Sequence, residues 1–241
     1  VGLMLGVGLA FFLEYLDNTI KLPDEIDEYL SIPFLGAVPA WEQKNGNRKS
    51  ELIALDEPKS MISESFRGVR TALIFSSAEK APTTILVTSA GPEEGKTLCA
   101  ANLAVTMAQS GSKVVVLDCD MRRPRMHRVF NIDRNAGISN FLVGTGGLRE
   151  ALIPTSVENL DLLPVGPIPP NPSEILGSNK MSGLIESLKK KYDRIIIDSP
   201  PTSAVTDASI LSNKVDGVVL VIRAGDTPRN LVQTGLSKLK A

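Results

Sequence analysis

Residues 83–111 read TTILVTSAGPEEGKTLCAANLAVTMAQSG, and this stretch decides the fold. An apolar run of strand length precedes AGPEEGKT at residues 90–97, and a run with helical periodicity follows it up to Gly111. A loop that ends in Gly-Lys-Thr between a strand and a helix is the pattern of a phosphate-binding P-loop. The stretch therefore predicts a strand–loop–helix unit that binds a nucleoside triphosphate.

The loop supplies the groups that a triphosphate needs. Its backbone N–H groups can surround the phosphates, and Gly95 permits a close approach that a Cβ would block. Lys96 is predicted to contact the β- and γ-phosphates, and Thr97 to hold Mg²⁺. The positive end of the following helix points at the same anion. The predicted nucleotide-binding residues are Ala90, Gly91, Pro92, Glu93, Glu94, Gly95, Lys96, Thr97 and Leu98.

Strands and helices alternate along the rest of the chain. Apolar runs of strand type lie at 85–89, 113–118, 160–166, 194–199 and 216–224, and helices are expected near 60–77, 97–109, 173–190, 204–212 and 228–239. The strands show little alternation of polar and apolar residues, which is typical of strands buried on both faces. The sequence therefore predicts an α/β fold of P-loop NTPase type with a doubly wound, mostly parallel sheet.

Two of the apolar runs end in acidic residues. KVVVLDCD ends in Asp118 and Asp120, and RIIID ends in Asp198, just before a pair of prolines. Ligands of such folds bind at the carboxyl ends of the strands, so we expect these acids to lie beside the P-loop. An acid after an apolar strand is the Walker B arrangement, which holds Mg²⁺ directly or through water. Together with the loop, these acids predict a metal-assisted phosphoryl-transfer site.

Composition narrows the class of protein. The chain has 241 residues, of which 43% are hydrophobic and 22% charged, as in globular domains. Its 26 basic and 27 acidic side chains nearly cancel, so charge gives no argument for a nucleic-acid partner. Cys99 and Cys119 fall in elements predicted to be buried, which favours core thiols in a reducing cytoplasm over a disulfide.

The first residues, VGLMLGVGLAFFL (1–13), are apolar and uncharged. They are fewer than the roughly 20 residues that span a bilayer. A buried or interfacial helix and the C-terminal part of a transmembrane helix are both compatible with them, and their glycines favour the membrane helix. The acidic segment that follows lacks the positive charge typical of a cytoplasmic flank. Because acidic residues count little in that charge rule, the membrane helix stays the favoured interpretation. We divide the chain into a membrane-helix end (1–13), a juxtamembrane segment and linker (14–50) and a P-loop domain (51–241).

The order of three motifs gives a specific resemblance. AGPEEGKT (90–97), VVVLDCDMRRP (114–124) and IIIDSPP (195–201) resemble the Walker A, A′ and B motifs of the bacterial tyrosine kinase family. Residues 5–39 resemble the end of the second membrane helix and the juxtamembrane segment of the polysaccharide co-polymerase that is fused to these kinases. The resemblance covers essentially the whole chain. It implies an ATP- and Mg²⁺-dependent tyrosine autokinase that regulates the polymerisation and export of exopolysaccharide or capsule chains.

The resemblance also implies roles for individual residues. Lys96, Asp118, Asp120 and Asp198 would be catalytic, with one of the two A′ acids taking the proton of the acceptor tyrosine. The metal would be held by Thr97, Asp120 and Asp198. A tyrosine hydroxyl has a pKa near 10, so an adjacent carboxylate is a reasonable proton acceptor.

Assembly and location follow from the same resemblance. Glu64, Arg67 and Arg70 match a Glu-x-x-Arg-x-x-Arg motif that mediates ring assembly in the family, and on a helix they fall close to one face. The implied partners are further copies of the chain in a ring, the polysaccharide polymerisation and export machinery, the membrane through the N-terminal helix, and a cognate tyrosine phosphatase. The implied location is the bacterial inner membrane, with the catalytic domain in the cytoplasm.

Some features depart from the family pattern. The family's acceptor tyrosines cluster at the C-terminus, whereas this sequence has only Tyr15, Tyr29 and Tyr192 and ends at Ala241, so we expect the kinase domain to continue beyond that residue. Gly91 stands where partition and division-site ATPases carry an extra lysine, which favours the kinase branch. Two alternatives remain: an ATPase switch of that type, with water as acceptor, and a non-catalytic scaffold that binds nucleotide.

Overall fold

The fold is described from a computed structural model, which covers residues 2, 4, 6–8, 12, 17–41, 51–77 and 80–240. Of the predicted membrane-helix end at 1–13, only residues 2, 4, 6–8 and 12 are described, and these are helical and exposed. Of the predicted linker at 41–50, residues 42–50 lie outside the described residues. In the described parts of the chain, no helix has both the length and the apolar character that crossing a bilayer requires.

The strands form the sheet that the sequence predicted. The strands are β1 (Thr84–Ser89), β2 (Val114–Asp118), β3 (Ile153–Pro154), β4 (Leu160–Leu163), β5 (Arg194–Asp198) and β6 (Gly217–Val221). Within the described residues they form one six-stranded sheet in the order β3-β4-β2-β5-β1-β6, and every neighbouring pair is parallel except β3 with β4. Residues of β1 and β2 are buried throughout because helices cover both faces of the sheet.

Helices cover the sheet on both sides. The helices are α1 (Pro23–Leu30), α2 (Ile53–Asp56), α3 (Met61–Ile74), α4 (Lys96–Gln109), α5 (Met126–Val129), α6 (Ile138–Val143), α7 (Leu148–Ala151), α8 (Pro172–Gly177), α9 (Asn179–Lys189), α10 (Asp207–Ser212) and α11 (Arg229–Lys240). One face of the sheet packs against α4 with α2, α3 and α5, and the other face packs against α6 to α10. The predicted doubly wound α/β fold is therefore confirmed.

Element boundaries differ from the prediction at several places, of which three bear on the sheet and its covering helices. The helix expected over 173–190 is two helices, because Ser178 adopts an extended conformation and its hydroxyl accepts a hydrogen bond from Met181 N at 3.3 Å, which starts α9. Strand β3 was not predicted, since two residues carry no periodicity. Strand β6 is shorter than expected and only partly buried because it lies at the edge of the sheet.

A buried amide fixes the start of the P-loop domain on α4. Asn102 is fully buried; its Oδ1 accepts a hydrogen bond from Ala54 N at 2.9 Å, and its Nδ2 donates to Glu51 O at 2.8 Å. Arg70, on α3, donates to Thr106 O on α4 at 2.8 Å. The helix that follows the P-loop is therefore tied to α2 and α3.

The predicted juxtamembrane segment packs against the P-loop domain. Thr19 forms an antiparallel bridge with Pro228, and Arg229 pairs with Glu25 of α1 at 2.6 Å. Ile20 and Leu30 are buried in a small apolar cluster that includes Ala90 of the P-loop and Val232 of α11. The segment is thus anchored on α11, next to the P-loop.

Candidate functional site: a P-loop with converging acids

The P-loop has the backbone shape that an anion site requires. Gly95 has φ +89°, in the left-handed region that favours glycine, and α4 begins at the next residue. Glu93 also has a positive φ of 62°, which is uncommon outside glycine and marks a tightly constrained turn. No side chain caps the start of α4. The first N–H groups of a helix lack intrahelical partners, so these are free to bind phosphate oxygens.

The strand register brings the predicted acids together. Asp118 at the end of β2 lies beside Asp198 at the end of β5, and β1, which leads into the P-loop, pairs with β5 on its other side. The Lys96 ammonium donates to Asp120 Oδ2 at 2.8 Å and lies 3.8 Å from Asp198 Oδ1. The Thr97 hydroxyl donates to Asp198 Oδ2 at 2.7 Å. The five polar residues predicted for catalysis and metal binding therefore form one cluster.

The two A′ acids occupy different positions. Asp118 is fully buried, and its two oxygens accept hydrogen bonds from Asp120 N at 3.2 Å and Met126 N at 3.1 Å. Asp120 instead presents Oδ2 to Lys96, while its Oδ1 accepts from Arg123 N at 3.0 Å. Asp118 thus orders the loop after β2, and Asp120 is the A′ acid in direct contact with the P-loop lysine.

Electrostatics in the cluster are dominated by burial. Burial raises the pKa of Asp118 well above its ordinary value, and repulsion from Asp198 adds to this. Burial also raises the pKa of Asp198, to about 6, although Lys96 and the Thr97 hydroxyl lower it in part. Burial alone would lower the pKa of Lys96, but attraction to Asp198 and Asp120 outweighs it and raises this pKa. The site therefore holds more negative charge than one lysine can balance.

The cluster fits a divalent cation that is shared with a phosphate. Asp198 Oδ1 is buried and has no hydrogen-bond partner, and the other oxygen of the same carboxylate contacts Thr97. In the described parts of the chain, no three His, Cys, Asp or Glu side chains form a metal cage by themselves. Mg²⁺ typically takes one or two protein ligands and fills its shell with water and phosphate oxygens. Thr97 and Asp198 fit that role, whereas Asp120, the third predicted metal ligand, is hydrogen-bonded to Lys96.

Comparison with known proteins decides the family. The profile of the AAA domain family matches residues 84–239. Tyrosine-protein kinase YwqD of Bacillus subtilis is 41% identical over 191 residues, which cover 79% of this chain and 81% of the relative. The chain belongs to the bacterial tyrosine-protein kinase family. The P-loop of this kinase is therefore a nucleotide-binding loop.

Solved structures separate the kinase from the related ATPases. The kinase domain of the Escherichia coli tyrosine kinase ETK matches this kinase with a TM-score of 0.85 and 30% identity, covering 92% of this chain and 89% of that one. The septum site-determining protein MinD of Pyrococcus horikoshii, complexed with Mg-ADP, has the same identity of 30% but a TM-score of 0.51, with 57% and 56% covered. The likeness to the kinase extends well beyond the shared P-loop core, as Gly91 predicted.

Sequence inspection missed several contacts of the site. The Thr227 hydroxyl donates to Glu94 Oε1 in the P-loop at 2.6 Å. Burial raises the pKa of Glu94, and this hydrogen bond opposes the rise. Beyond the A′ acids, the Arg122 guanidinium pairs with the fully buried Asp207 at 3.1 Å. Neither link has a local sequence signal, because the partners lie far apart in the chain.

Gly235 is a missed residue that did carry a signal, since it interrupts the helical pattern of α11. A Cβ there would lie 2.5 Å from Thr202 Oγ1 and 3.7 Å from Ala90 Cα. The absence of a side chain lets α11 approach both the P-loop and the loop after β5.

Replacing Gly235 by alanine tests that approach. We expect Gly235→Ala to lower the free energy of unfolding by about 1–3 kcal/mol through overpacking, and to weaken nucleotide binding because α11 is displaced from Ala90. Chemical denaturation and nucleotide titration measure the two effects. The matched control is Gly183→Ala in α9, where a Cβ meets nothing within 4 Å. That variant is expected to be more stable by roughly 0.5–1 kcal/mol, and a similar gain for Gly235→Ala would contradict the packing argument.

The charge imbalance predicts a pH dependence of stability in nucleotide-free protein with EDTA present. The pKa of Asp198 in the folded chain, about 6, lies above its ordinary value of 3.8, so ionisation of this group opposes folding above pH 6 and not below pH 4. We expect Asp198→Asn to raise the free energy of unfolding at pH 7.5 by on the order of 2 kcal/mol, with the gain shrinking as pH falls through 6.

Thermal or urea unfolding at several pH values measures this difference. Asp133→Asn, at an exposed acid, is the control and is expected to change stability by less than about 0.5 kcal/mol. A gain for Asp198→Asn that stays constant from pH 4 to pH 7.5 would show that charge burial is not its cause.

Proposed function

We propose that this kinase is an ATP- and Mg²⁺-dependent protein-tyrosine autokinase that regulates the polymerisation and export of exopolysaccharide or capsule chains. The observation that carries the catalytic part is the contact of Lys96 with Asp120, beside the Thr97–Asp198 pair at the mouth of the P-loop. The polysaccharide role rests on the resemblance of residues 5–39 to the fused co-polymerase.

We propose one task for each side chain of the cluster. Lys96 and the N–H groups at the start of α4 bind and orient the β- and γ-phosphates. Asp120, which is nearly buried and opposite the lysine, accepts the proton of the tyrosine hydroxyl. Thr97 and Asp198 would hold Mg²⁺, and the bound ion would neutralise charge that develops on the transferred phosphoryl group. Asp118 positions Asp120 through the backbone N–H of that residue.

Water as the acceptor would make the same cluster an ATPase switch. The proton acceptor would again be Asp120, so the cluster itself does not discriminate the two reactions. The kinase is favoured because the likeness to the ETK kinase domain covers 92% of the chain, against 57% for MinD.

Phosphotyrosine formation tests the proposal. With ATP and Mg²⁺ and a random Glu/Tyr copolymer as acceptor, wild-type protein is expected to form phosphotyrosine, and Lys96→Met to reduce the rate by at least about a hundredfold, since it removes a charge that stabilises the transition state. Anti-phosphotyrosine detection and free-phosphate release are measured together. Lys113→Met, at the start of β2 and away from the P-loop, is the matched control and is expected to retain activity.

Each alternative predicts a different pair of readings. Release of free phosphate by the wild-type protein that Lys96→Met abolishes, without any phosphotyrosine, would establish the ATPase switch. Nucleotide binding without either product would establish the scaffold.

Ring assembly is the second part of the proposal, and α3 supports it. Arg67 pairs with Glu64 on the helix surface, where the Glu64 side chain is 71% exposed. Met61 and Phe75, at the two ends of α3, are also largely exposed. Arg70 differs, because it is bonded to α4 within the same chain. We assign the intermolecular ion pairs of the ring to Glu64 and Arg67. The ring would lie at the inner face of the bacterial membrane, with the catalytic domain in the cytoplasm. Its further partners would be the export machinery and a cognate phosphatase.

Light scattering tests this assignment. Arg67→Ala is expected to lower the mass of the oligomer without lowering the stability of the monomer, since surface ion pairs contribute at most about 1 kcal/mol. Arg70→Ala is expected to lower monomer stability as well, because it leaves Thr106 O without its donor. An unchanged mass for Arg67→Ala would contradict the assignment.

A further inference from the structure

Tyr29 is the accessible tyrosine of the described residues. Its side chain lies in the last turn of α1 and is 40% exposed, and its hydroxyl makes no hydrogen bond within the part of the chain that the structure covers. Tyr192, the other described tyrosine, is 6% exposed, and its hydroxyl donates to Asp161. The exposed part of Tyr29 is therefore available to another molecule while α1 stays packed on α11.

Negative charge surrounds Tyr29. Asp24, Asp27 and Glu28 of α1 are exposed and form no ion pair in the described part of the chain. Glu25 is the exception, since Arg229 pairs with it and also lies over the Tyr29 ring at 4.5 Å from its centroid. The tyrosine therefore sits on an acidic helix whose surface carries unbalanced charge.

Positive charge surrounds the catalytic acid. The arginine loop, which we define as residues 122–128 and which includes the start of α5, begins two residues after Asp120 and contains four exposed arginines: Arg122, Arg123, Arg125 and Arg128. Arg122 and Arg125 pair with Asp207 and Glu51. Arg123 and Arg128 form no ion pair among the described residues. The backbone N–H of Arg123 donates to Asp120 Oδ1, so this unbalanced positive charge borders the site of proton transfer.

The acidic helix and the arginine loop of one molecule lie beside different strands of the sheet. Helix α1 packs on α11, which follows the edge strand β6, whereas the arginine loop follows β2. Three strand spacings separate β2 from β6 in the order β2-β5-β1-β6, which is roughly 14 Å at about 4.8 Å per strand. With α1 anchored by Glu25 and Thr19, the two surfaces can meet only between two molecules.

We infer that Tyr29 is a phosphorylation site: α1 of one copy docks on the arginine loop of a second copy, which transfers phosphate to the Tyr29 hydroxyl. The inference rests on the proposed kinase function. A bond forms between the tyrosine oxygen and the γ-phosphorus of ATP, the bond from that phosphorus to the β-phosphate oxygen breaks, and ADP leaves. Asp120 of the second copy takes the phenol proton and releases it to water.

A two-chain assay tests the inference. The acceptor is the Lys96→Met chain, which cannot phosphorylate itself, and wild-type chain is added in trace amounts with ATP and Mg²⁺. Tandem mass spectrometry is expected to find phosphate on Tyr29 of the acceptor, and Tyr29→Phe in the acceptor to remove that signal. A neutral tyrosine peptide in a parallel reaction reports kinase activity that does not depend on α1.

Charge reversal tests the docking surface. Arg128→Glu in the enzyme is expected to slow Tyr29 phosphorylation about fivefold, the factor that corresponds to a partly exposed ion pair, and Asp27→Lys in the acceptor is expected to restore part of the rate. The neutral peptide is expected to react at an unchanged rate. Arg149→Glu, at an exposed arginine of α7 on the far edge of the sheet, is the matched control and is expected to have no effect.

The outcomes separate this inference from the function on which it rests. Phosphorylation of the neutral peptide without phosphate on Tyr29 would overturn the inference and leave the kinase function standing. No phosphotyrosine on either acceptor would overturn both. Equal rates for Arg128→Glu and Arg149→Glu would overturn docking on the arginine loop.

Discussion

Buried negative charge at the ends of two parallel strands is the constraint on which this site depends. Asp118 and Asp198 are fully buried side by side, Asp120 is nearly so, and the Lys96 ammonium contacts Asp120 and lies 3.8 Å from Asp198. Taking carboxylates out of water is unfavourable unless cations or N–H donors compensate. The fold supplies backbone N–H donors to Asp118 and a hydroxyl donor to Asp198, which leaves one buried oxygen of Asp198 without a hydrogen bond, 3.8 Å from the Lys96 ammonium. A bound cation with its phosphate would compensate the negative charge of these carboxylates. The same buried carboxylates that lower the stability of the ligand-free protein would therefore favour binding of the ligand.

Two groups of helices contact the P-loop and the helix that follows it, one on each side of the nucleotide site. On one side, Asn102 and Arg70 tie α4 to α2 and α3, and α3 carries the motif to which the family resemblance assigns ring assembly. On the other side, α11 approaches Ala90 at Gly235, and Thr227 bonds to Glu94. The N-terminal segment is anchored on this same α11. Movement of either neighbour would reach the P-loop through hydrogen bonds and close backbone contacts.

The small net charge of the chain conceals a strong separation of charge. Acidic side chains dominate the surface of α1, while arginines dominate the loop after β2. The first surface lies beside the edge strand β6 and the second lies at the end of β2. Complementary patches at different places on one molecule favour heterologous, head-to-tail contacts, which close into rings when the rotation between neighbours permits. Charge of this kind orients the partners and speeds their encounter more than it adds affinity, and it weakens as salt rises.

The sequence by itself determined the fold class, the P-loop and the acids after β2 and β5, because each of these is written in contiguous residues: an apolar strand, a glycine-lysine-threonine turn, a carboxylate at a strand end. Only the tertiary structure distinguished Asp118 from Asp120, since their tasks follow from which backbone and ammonium groups reach each carboxylate. The break at Ser178, the contact of Thr227 with Glu94 and the docking of α1 were likewise decided by tertiary packing. Their partners are brought together by strand order, which no local pattern of residues encodes.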